Sequence, residues 1–393
     1  MVNKLQNTIL ITCAKFTGNI IAREVESHGF KVAGINTYNI ETRGSIQDTY
    51  KLNYVLRTAH RVLFRIGQFK ASNVRQLTRN VKNIDWEKYI PVNGYFTIAS
   101  SVNHPQIRDT RYANLVVKDA IADRFNEKYG SRPDSGSSKD KCSVFYHWDE
   151  GNCEVFLDTT GNSLSRHGYR MNPWKAPMME SLAVAVIQET RWDGVSHFIN
   201  PMCGSGTLAI EAALIGSGIF PGQYRSNYSF MHLRNFDDVA WHKIKSYYES
   251  KIPDNLTFKI IATDISRRAI EASRLNAEEA GIEHLITFKP CSFTETEIPD
   301  GKGIVIMNPE YGERMGEVEN LTDTYREVGD FFKNRCSGYT GYIFTGNQKL
   351  AKNVGLRTSR KIPFMNGNIE CRLLEYELYA GSKKIKKDTE DPE

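Results

Sequence analysis

No apolar run in these 393 residues approaches the length needed to cross a bilayer. The N-terminus lacks the pattern of a secretory signal, because Gln6, Asn7 and Thr8 interrupt it. The seven cysteines, at 13, 142, 153, 203, 291, 336 and 371, are scattered, with no C-x-x-C pair and no Cys/His cluster. Such usage argues against a structural zinc and predicts a reducing cytoplasm and no bound metal. An excess of charge of one sign is nearly missing too. The formal net charge of +5 permits a polyanionic partner without demanding one. What remains is a chain too long for one compact core, with the apolar content of an ordinary soluble protein, and two or three domains are expected.

The most informative stretch is Ile199-Asn200-Pro201-Met202-Cys203-Gly204-Ser205-Gly206-Thr207. A short apolar run, Ser196 to Ile199, precedes it and reads as a buried strand; Leu208, Ile210, Ala212 and Leu214 follow it and read as a packed helix. Strand, glycine turn and helix open a nucleotide-binding α/β sheet, where glycines let the backbone approach a ligand and the helix start offers free N–H groups. The dinucleotide fingerprint is incomplete, since no third glycine follows at the expected place, and a lone G-x-G reads equally as a tight turn. Two further strands give the turn its context. Phe258 to Thr263 ends at Asp264, an acid placed to accept hydrogen bonds from both ribose hydroxyls. Gly303 to Met307 runs into Asn308-Pro309-Glu310-Tyr311-Gly312-Glu313-Arg314. An exocyclic base amine is a poor nucleophile, its lone pair being delocalised into the ring. The Asn308 side-chain oxygen and the Pro309 carbonyl could hold its hydrogens and draw the nitrogen toward a tetrahedral shape. Tyr311 offers a face for a base taken out of its stack. Alone, N-P-x-Y also reads as a turn with a buried tyrosine.

Taken in order, N-P-M-C-G-S-G-T, an acid after the next strand and N-P-x-Y-G-E-R resemble the class I S-adenosylmethionine-dependent methyltransferases. The fuller pattern is similar to the RlmL-like RNA guanine-N2 methyltransferases that carry an N-terminal THUMP domain. The resemblance implies a Rossmann-like α/β domain with a seven-stranded mixed sheet, preceded by an α+β ferredoxin-like and THUMP region. It implies S-adenosylmethionine bound by Asn200, Met202, Cys203, Gly204, Ser205, Gly206, Thr207, Glu180, Asp264, Ile265, Ser292 and Phe293. Within this set Glu180 would meet the methionine end, Ser292 would accept weakly from the adenine amine, and Phe293 would pack on the ring. Catalysis would fall to Asn308, Pro309 and Tyr311, by positioning and electrostatics, with no covalent nucleophile. Cys203 is then a packing residue rather than a thiolate. Two positions depart from the family. Asn200 stands where aspartate is usual, keeping an acceptor and losing a charge. Glu310 stands where a second proline is usual; its acid either favours a developing positive charge or faces water.

The N-terminal half reads as alternating strands and helices, with strands over 8–12, 31–38, 62–69 and 95–102 and helices over 18–28 and 72–83. A strong helix follows over 111–129, then two strands over 143–148 and 153–158. Arg108, the run Val117 to Phe125 and Arg132-Pro133 resemble the second half of a THUMP domain, which implies RNA as partner. Lys118 and Arg124 are the picks there for phosphate contact. The segment Leu164 to Arg170 resembles the family's L-x-x-R-G-Y-R, with His167 where arginine is usual, and places Arg166, Tyr169 and Arg170 on the RNA side. Between 57 and 88, eight basic residues stand against Asp85 and Glu87, which reads equally as a phosphate footprint or a solvated face. In the insertion after the glycine loop, Arg225, Tyr228 and Phe230 are candidates for an RNA groove, with core packing favoured for Phe230.

The expected division is a ferredoxin-like part over 1–55, THUMP over 56–160, a methyltransferase domain over 161–380 and a disordered charged tail over 381–393. The expected activity is methylation of guanine N2 in structured RNA, with 23S rRNA first among substrates. A tRNA guanine-N2 enzyme, an adenine-N6 enzyme and a non-catalytic RNA-binding assembly factor are the alternatives.

Overall fold

The computed structural model describes residues 7–173, 177–310 and 317–379, of which 317–320 by backbone alone. The tail expected over 381–393 lies outside the described residues. The N-terminal half holds β1 (Asn7–Thr12), α1 (Gly18–Ser27), β2 (Val32–Ile35), β3 (Asn39–Gly44), α2 (Ile46–Val55), β4 (Arg61–Lys70), α3 (Val74–Lys82) and β5 (Tyr95–Asn103). It continues with α4 (Thr110–Tyr129), β6 (Asp134–Ser135), β7 (Cys142–Asp149) and β8 (Asn152–Asp158). These strands form one sheet in the order β2-β3-β1-β4-β8-β7-β5-β6. Strand β4 is its seam, pairing antiparallel with β1 on one side and with β8 on the other. The regions expected as separate units over 1–55 and 56–160 thus share one sheet and one hydrophobic core. Helix α4 closes over it with Ala113, Val117, Ala120, Ile121 and Phe125 at helical spacing, all buried. The Asp109 side chain caps its N-terminus and Gly130, in the left-handed conformation, ends it.

The C-terminal half holds α5 (Glu180–Glu189), β9 (His197–Pro201), α6 (Thr207–Gly216), α7 (Asp238–Tyr248), β10 (Ile260–Asp264), α8 (Arg267–Glu279) and β11 (Ile286–Pro290). After these come β12 (Gly303–Met307), α9 (Glu317–Arg335), β13 (Thr340–Thr345), α10 (Gln348–Ala351), β14 (Arg360–Asn366) and β15 (Ile369–Glu377). Its seven-stranded sheet runs β11-β10-β9-β12-β13-β15-β14. The first five strands are parallel, and β15 enters antiparallel beside β13. Strand order reverses between β9 and β12, so their carboxyl ends diverge into a crevice, the usual place for a ligand in an open α/β sheet.

Three local features differ from what the sequence alone conveys. Helix α2 went unread because Thr49, Tyr50, Leu52, Asn53, Tyr54 and Val55 are all buried, which leaves no polar stripe to give it a period. Its local signal is the capping box of Ser45 and Asp48. Strand β14 runs through Pro363, which reads as a breaker in sequence but which the outermost strand of a sheet tolerates. The insertion between α6 and β10 packs away from any groove. Tyr228 and Phe230 are fully buried, Phe230 stacks on Tyr50 at 4.3 Å, and Trp241 meets Tyr54 edge-on at 5.9 Å. Arg225 donates to the carbonyls of Asn162 and Ser163 and lies over Tyr228. These groups belong to the N-terminal core.

Candidate active site

Three strand ends build the site. At the end of β9, Met202 and Gly204 take positive φ of 55° and 56°, and Gly206 reaches 79° as the N-cap of α6. Gly206 answers to space as well as to backbone, since an added Cβ would sit 2.9 Å from Cβ of Ser273 on α8. The loop is held from the next strand. Asp264 Oδ2 accepts from the Gly204 amide at 3.0 Å while Oδ1 accepts from the Ser266 amide at 2.9 Å. Ser273 Oγ donates to the Gly204 carbonyl at 2.7 Å. On the other side, Asn200 Nδ2 donates to the Ile306 carbonyl of β12 at 2.9 Å. Its Oδ1, buried, has no partner among the described residues.

A cavity of about 590 Å³ opens over these ends. It is lined by Asn200, Met202, Cys203, Gly204, Ser205 and Thr207 from the glycine loop, and by Asp264 and Ile265 after β10. Ser292 and Phe293 line it after β11, and Asn308, Pro309 and Glu310 after β12. Pro177, Met178, Leu208, Ser266, Leu321, Thr324 and Glu327 complete the wall, none of them among the residues expected from sequence. Leu321, Thr324 and Glu327 belong to α9, whose helical pattern says nothing of which end overhangs a crevice. Tyr311 lies outside the described residues. Burial, with the Asp264 carboxylate beside it, pushes the Cys203 thiol far above its usual range, as suits a packing residue.

Glu180 does not line the cavity. It is buried behind the glycine loop, 3.6 Å from Arg170 Nη2, and burial raises its carboxyl above the ordinary value despite that cation. Two residues expected on an RNA face turn inward with it. Tyr169 is 1% exposed and its hydroxyl donates to Glu211 Oε1 at 2.8 Å. Arg170 donates to the Met178 carbonyl at 2.6 Å and to Thr207 Oγ1 at 2.9 Å, fastening the start of α6. His167 stands beside them, fully buried, with Nδ1 2.7 Å from Glu211 Oε1 and Nε2 2.9 Å from the Arg57 carbonyl. A carbonyl only accepts, so Nε2 carries a hydrogen. Nδ1 faces Glu211 Oε1, which also accepts from Tyr169. Burial is the largest influence and opposes a charge on the ring, but the Glu211 carboxylate, the Arg57 carbonyl and Glu180 together raise His167 above its ordinary value.

The expected phosphate contacts also change. Arg124 binds both oxygens of Glu87 at 2.8 Å and Asp85 at 2.6 Å, a bidentate arrangement that leaves little of the guanidinium to a ligand. Lys118 pairs with Asp119 at 3.2 Å. In the basic stretch, Arg57 is buried, Arg61 pairs with Asp158, Arg65 with Glu154 and Lys82 with Glu127. Much of that charge is therefore structural. Lys70, Arg75, Arg79, Arg108 and Arg166 are exposed.

A parallel sheet whose order reverses at a glycine loop, with an acid after the second strand and Asn-Pro after the fourth, defines a Rossmann-like methyltransferase of class I. Residues 167–375 match the RMKL-like methyltransferase domain, 8–63 the RlmL ferredoxin-like domain and 71–158 the THUMP domain. The chain belongs to the RMKL-like methyltransferase family. It is 34% identical over 330 residues to a candidate RNA methyltransferase of Synechocystis sp., covering 84% of this chain and 86% of that one. It is 32% identical to the ribosomal RNA large subunit methyltransferase K/L of Syntrophotalea carbinolica, covering 93% of this chain and 53% of the relative. The chain thus spans about half the length of the K/L relatives it matches. Among solved structures, a candidate methyltransferase complexed with SAH superposes with a TM-score of 0.86 at 25% identity, covering 96% of this chain and 99% of that one. A candidate methylase from Clostridium difficile 630 superposes at 0.84 with 28% identity, covering 96% and 100%. No helix among the described residues is long and apolar enough to cross a membrane, and no group of His, Cys, Asp and Glu among them could hold a metal ion.

Proposed function

We propose that this chain methylates the exocyclic N2 amine of a guanine in structured RNA, with large-subunit ribosomal RNA as the substrate and S-adenosylmethionine as the donor. Chief support comes from one feature, a single cavity lined by both the glycine loop and Asn308-Pro309. The donor fits the residues present. Asn200 Oδ1 is a buried acceptor without a partner, suited to the ammonium of an amino acid. Asp264, though engaged by two backbone amides, keeps lone pairs for ribose hydroxyls. Ser292 and Phe293 on the wall suit the adenine. S-adenosylmethionine, when bound, supplies a methyl group already activated on a positive sulfur.

The chain's own part is positioning. The Asn308 side-chain oxygen and the Pro309 carbonyl accept the two hydrogens of the amine, turning its lone pair toward the cofactor side of the cavity. Tyr311 follows directly in sequence and supplies the stacking face for the flipped base. Arg75, Arg79, Arg108 and Arg166, exposed, are the remaining cations for RNA phosphates. The K/L relatives are named for the large ribosomal subunit RNA, which supports the substrate.

Incubating the full chain with a 23S rRNA transcript and methyl-labelled S-adenosylmethionine tests the proposal. Nucleoside mass spectrometry should recover label as N2-methylguanosine. Label in N6-methyladenosine alone, or none in rRNA or tRNA while the cofactor still binds, would refute it. Label confined to tRNA would keep the guanine chemistry and replace the substrate.

A further inference from the structure

We infer that Glu310 reads the N1–H of the target guanine and thereby rejects adenine as a target base. The inference deepens the proposed function and rests on it. Asn308, Pro309 and Glu310 follow one another after β12, and all three line the same cavity. The wall carries three carboxylates, Asp264, Glu310 and Glu327, and no lysine, arginine or histidine among the described residues. Asp264 already accepts from two amides of its own fold. Glu310 is exposed and carries neither an ion pair nor a hydrogen bond to another described residue. An unpaired carboxylate kept at a cavity wall has capacity to accept a donor from whatever enters.

The chemistry of the two candidate bases decides which donor. The hydrogen-bonding edge of guanine presents three N–H hydrogens side by side, two on N2 and one on N1. The matching edge of adenine presents two on N6 and a bare lone pair on N1. Three consecutive residues offering an amide oxygen, a main-chain carbonyl and a carboxylate form a wall of acceptors, complementary to guanine hydrogen for hydrogen. Placed there, adenine would set its N1 lone pair against a carboxylate, an acceptor facing an acceptor. That arrangement strips water from both and returns no bond. The N1–H to carboxylate bond is charge-assisted and so among the stronger contacts available to an uncharged base. A proline at position 310 would leave the two acceptors that serve any exocyclic amine and remove the one that tells the bases apart.

The test uses the full chain and, once the methylated position is mapped on the 23S rRNA transcript, a synthetic fragment with guanine or 2-aminopurine at that position. 2-Aminopurine keeps the N2 amine and lacks the N1–H; it also lacks O6, so the comparison between variants carries the result. The wild-type chain should prefer guanine in kcat/KM, and Glu310→Gln, whose amide can donate to a bare N1, should narrow that preference by roughly tenfold or more. The Kd for S-adenosylmethionine should stay unchanged in the variant, showing an intact fold. An unchanged preference in Glu310→Gln, with guanine still methylated, would overturn the role of Glu310 and leave the proposed function standing. A preference that collapses in Glu327→Gln instead would overturn it too. Absence of N2-methylguanosine with the wild-type chain would sink the proposed function itself.

Discussion

At the scale of single residues, the proposed function gives the two ends of the cavity separable tasks. On that proposal Asn308→Ala removes an acceptor used only while the amine is being turned, so turnover should fall by about two orders of magnitude or more. The Kd for the cofactor, read by calorimetry, should barely move. Asp264→Ala should do the reverse, weakening cofactor binding by roughly tenfold to a hundredfold through lost hydrogen bonds, along with some loosening of the Gly204 loop it holds. Equal losses of both properties in each variant would show the roles to be misassigned. That Asn308, Asp264 and Gly204 meet at one cavity was legible because each lies at or just past the end of a short, largely apolar strand, where a parallel sheet presents its chemistry. Arg124, Tyr169 and Arg170 were misread for one reason. Sequence shows that a side chain is charged or aromatic, but not that Glu87 has claimed Arg124, Glu211 has claimed Tyr169, or the Met178 carbonyl and Thr207 have claimed Arg170.

At the scale of elements, the loop between β9 and α6 combines a backbone demand with a steric one. Gly206→Ala would force a Cβ into a left-handed residue and against Ser273. Strain of about 1–3 kcal/mol is expected, together with a displaced loop. A lowered Tm and a weaker cofactor Kd in the same variant would bear this out, and wild-type values for both would show that the loop relaxes freely. Elements with an amphipathic period, such as α4, were readable from spacing alone. Helix α2 was not, because it is enclosed on nearly all sides, nor was β14, whose proline reads as a breaker unless the strand is known to lie at an edge.

At the scale of the whole molecule, the two halves are joined by buried polar groups rather than by a free linker. His167 bonds the Arg57 carbonyl from the N-terminal half and Glu211 on α6. Tyr169, Arg170 and Glu180 surround that pair. Because folding raises the His167 value above the ordinary 6.5, the stability it contributes is fully present below about that pH. It is lost as pH rises through the raised folded-state value. The Tm difference between the wild-type chain and His167→Gln should therefore be largest near pH 6, at roughly 2 °C or more, and should shrink toward pH 9. A difference independent of pH would mean the ring is neutral in the folded chain. Other buried acids titrate too, which is why the comparison with the variant, and not the bare pH profile, isolates His167.

The aromatic insertion seated against α2 ties the N-terminal sheet to the catalytic half. Tyr54 presses so closely on Gly222 that an added Cβ would come within 2.4 Å of it. With the two halves held at one spacing, an RNA gripped by the N-terminal half would offer to the cavity only the nucleotide lying one fixed span away, whatever letters surround it. Selection by measured distance predicts that lengthening or shortening the RNA between grip and target by a single base pair would silence methylation more completely than altering its flanking sequence.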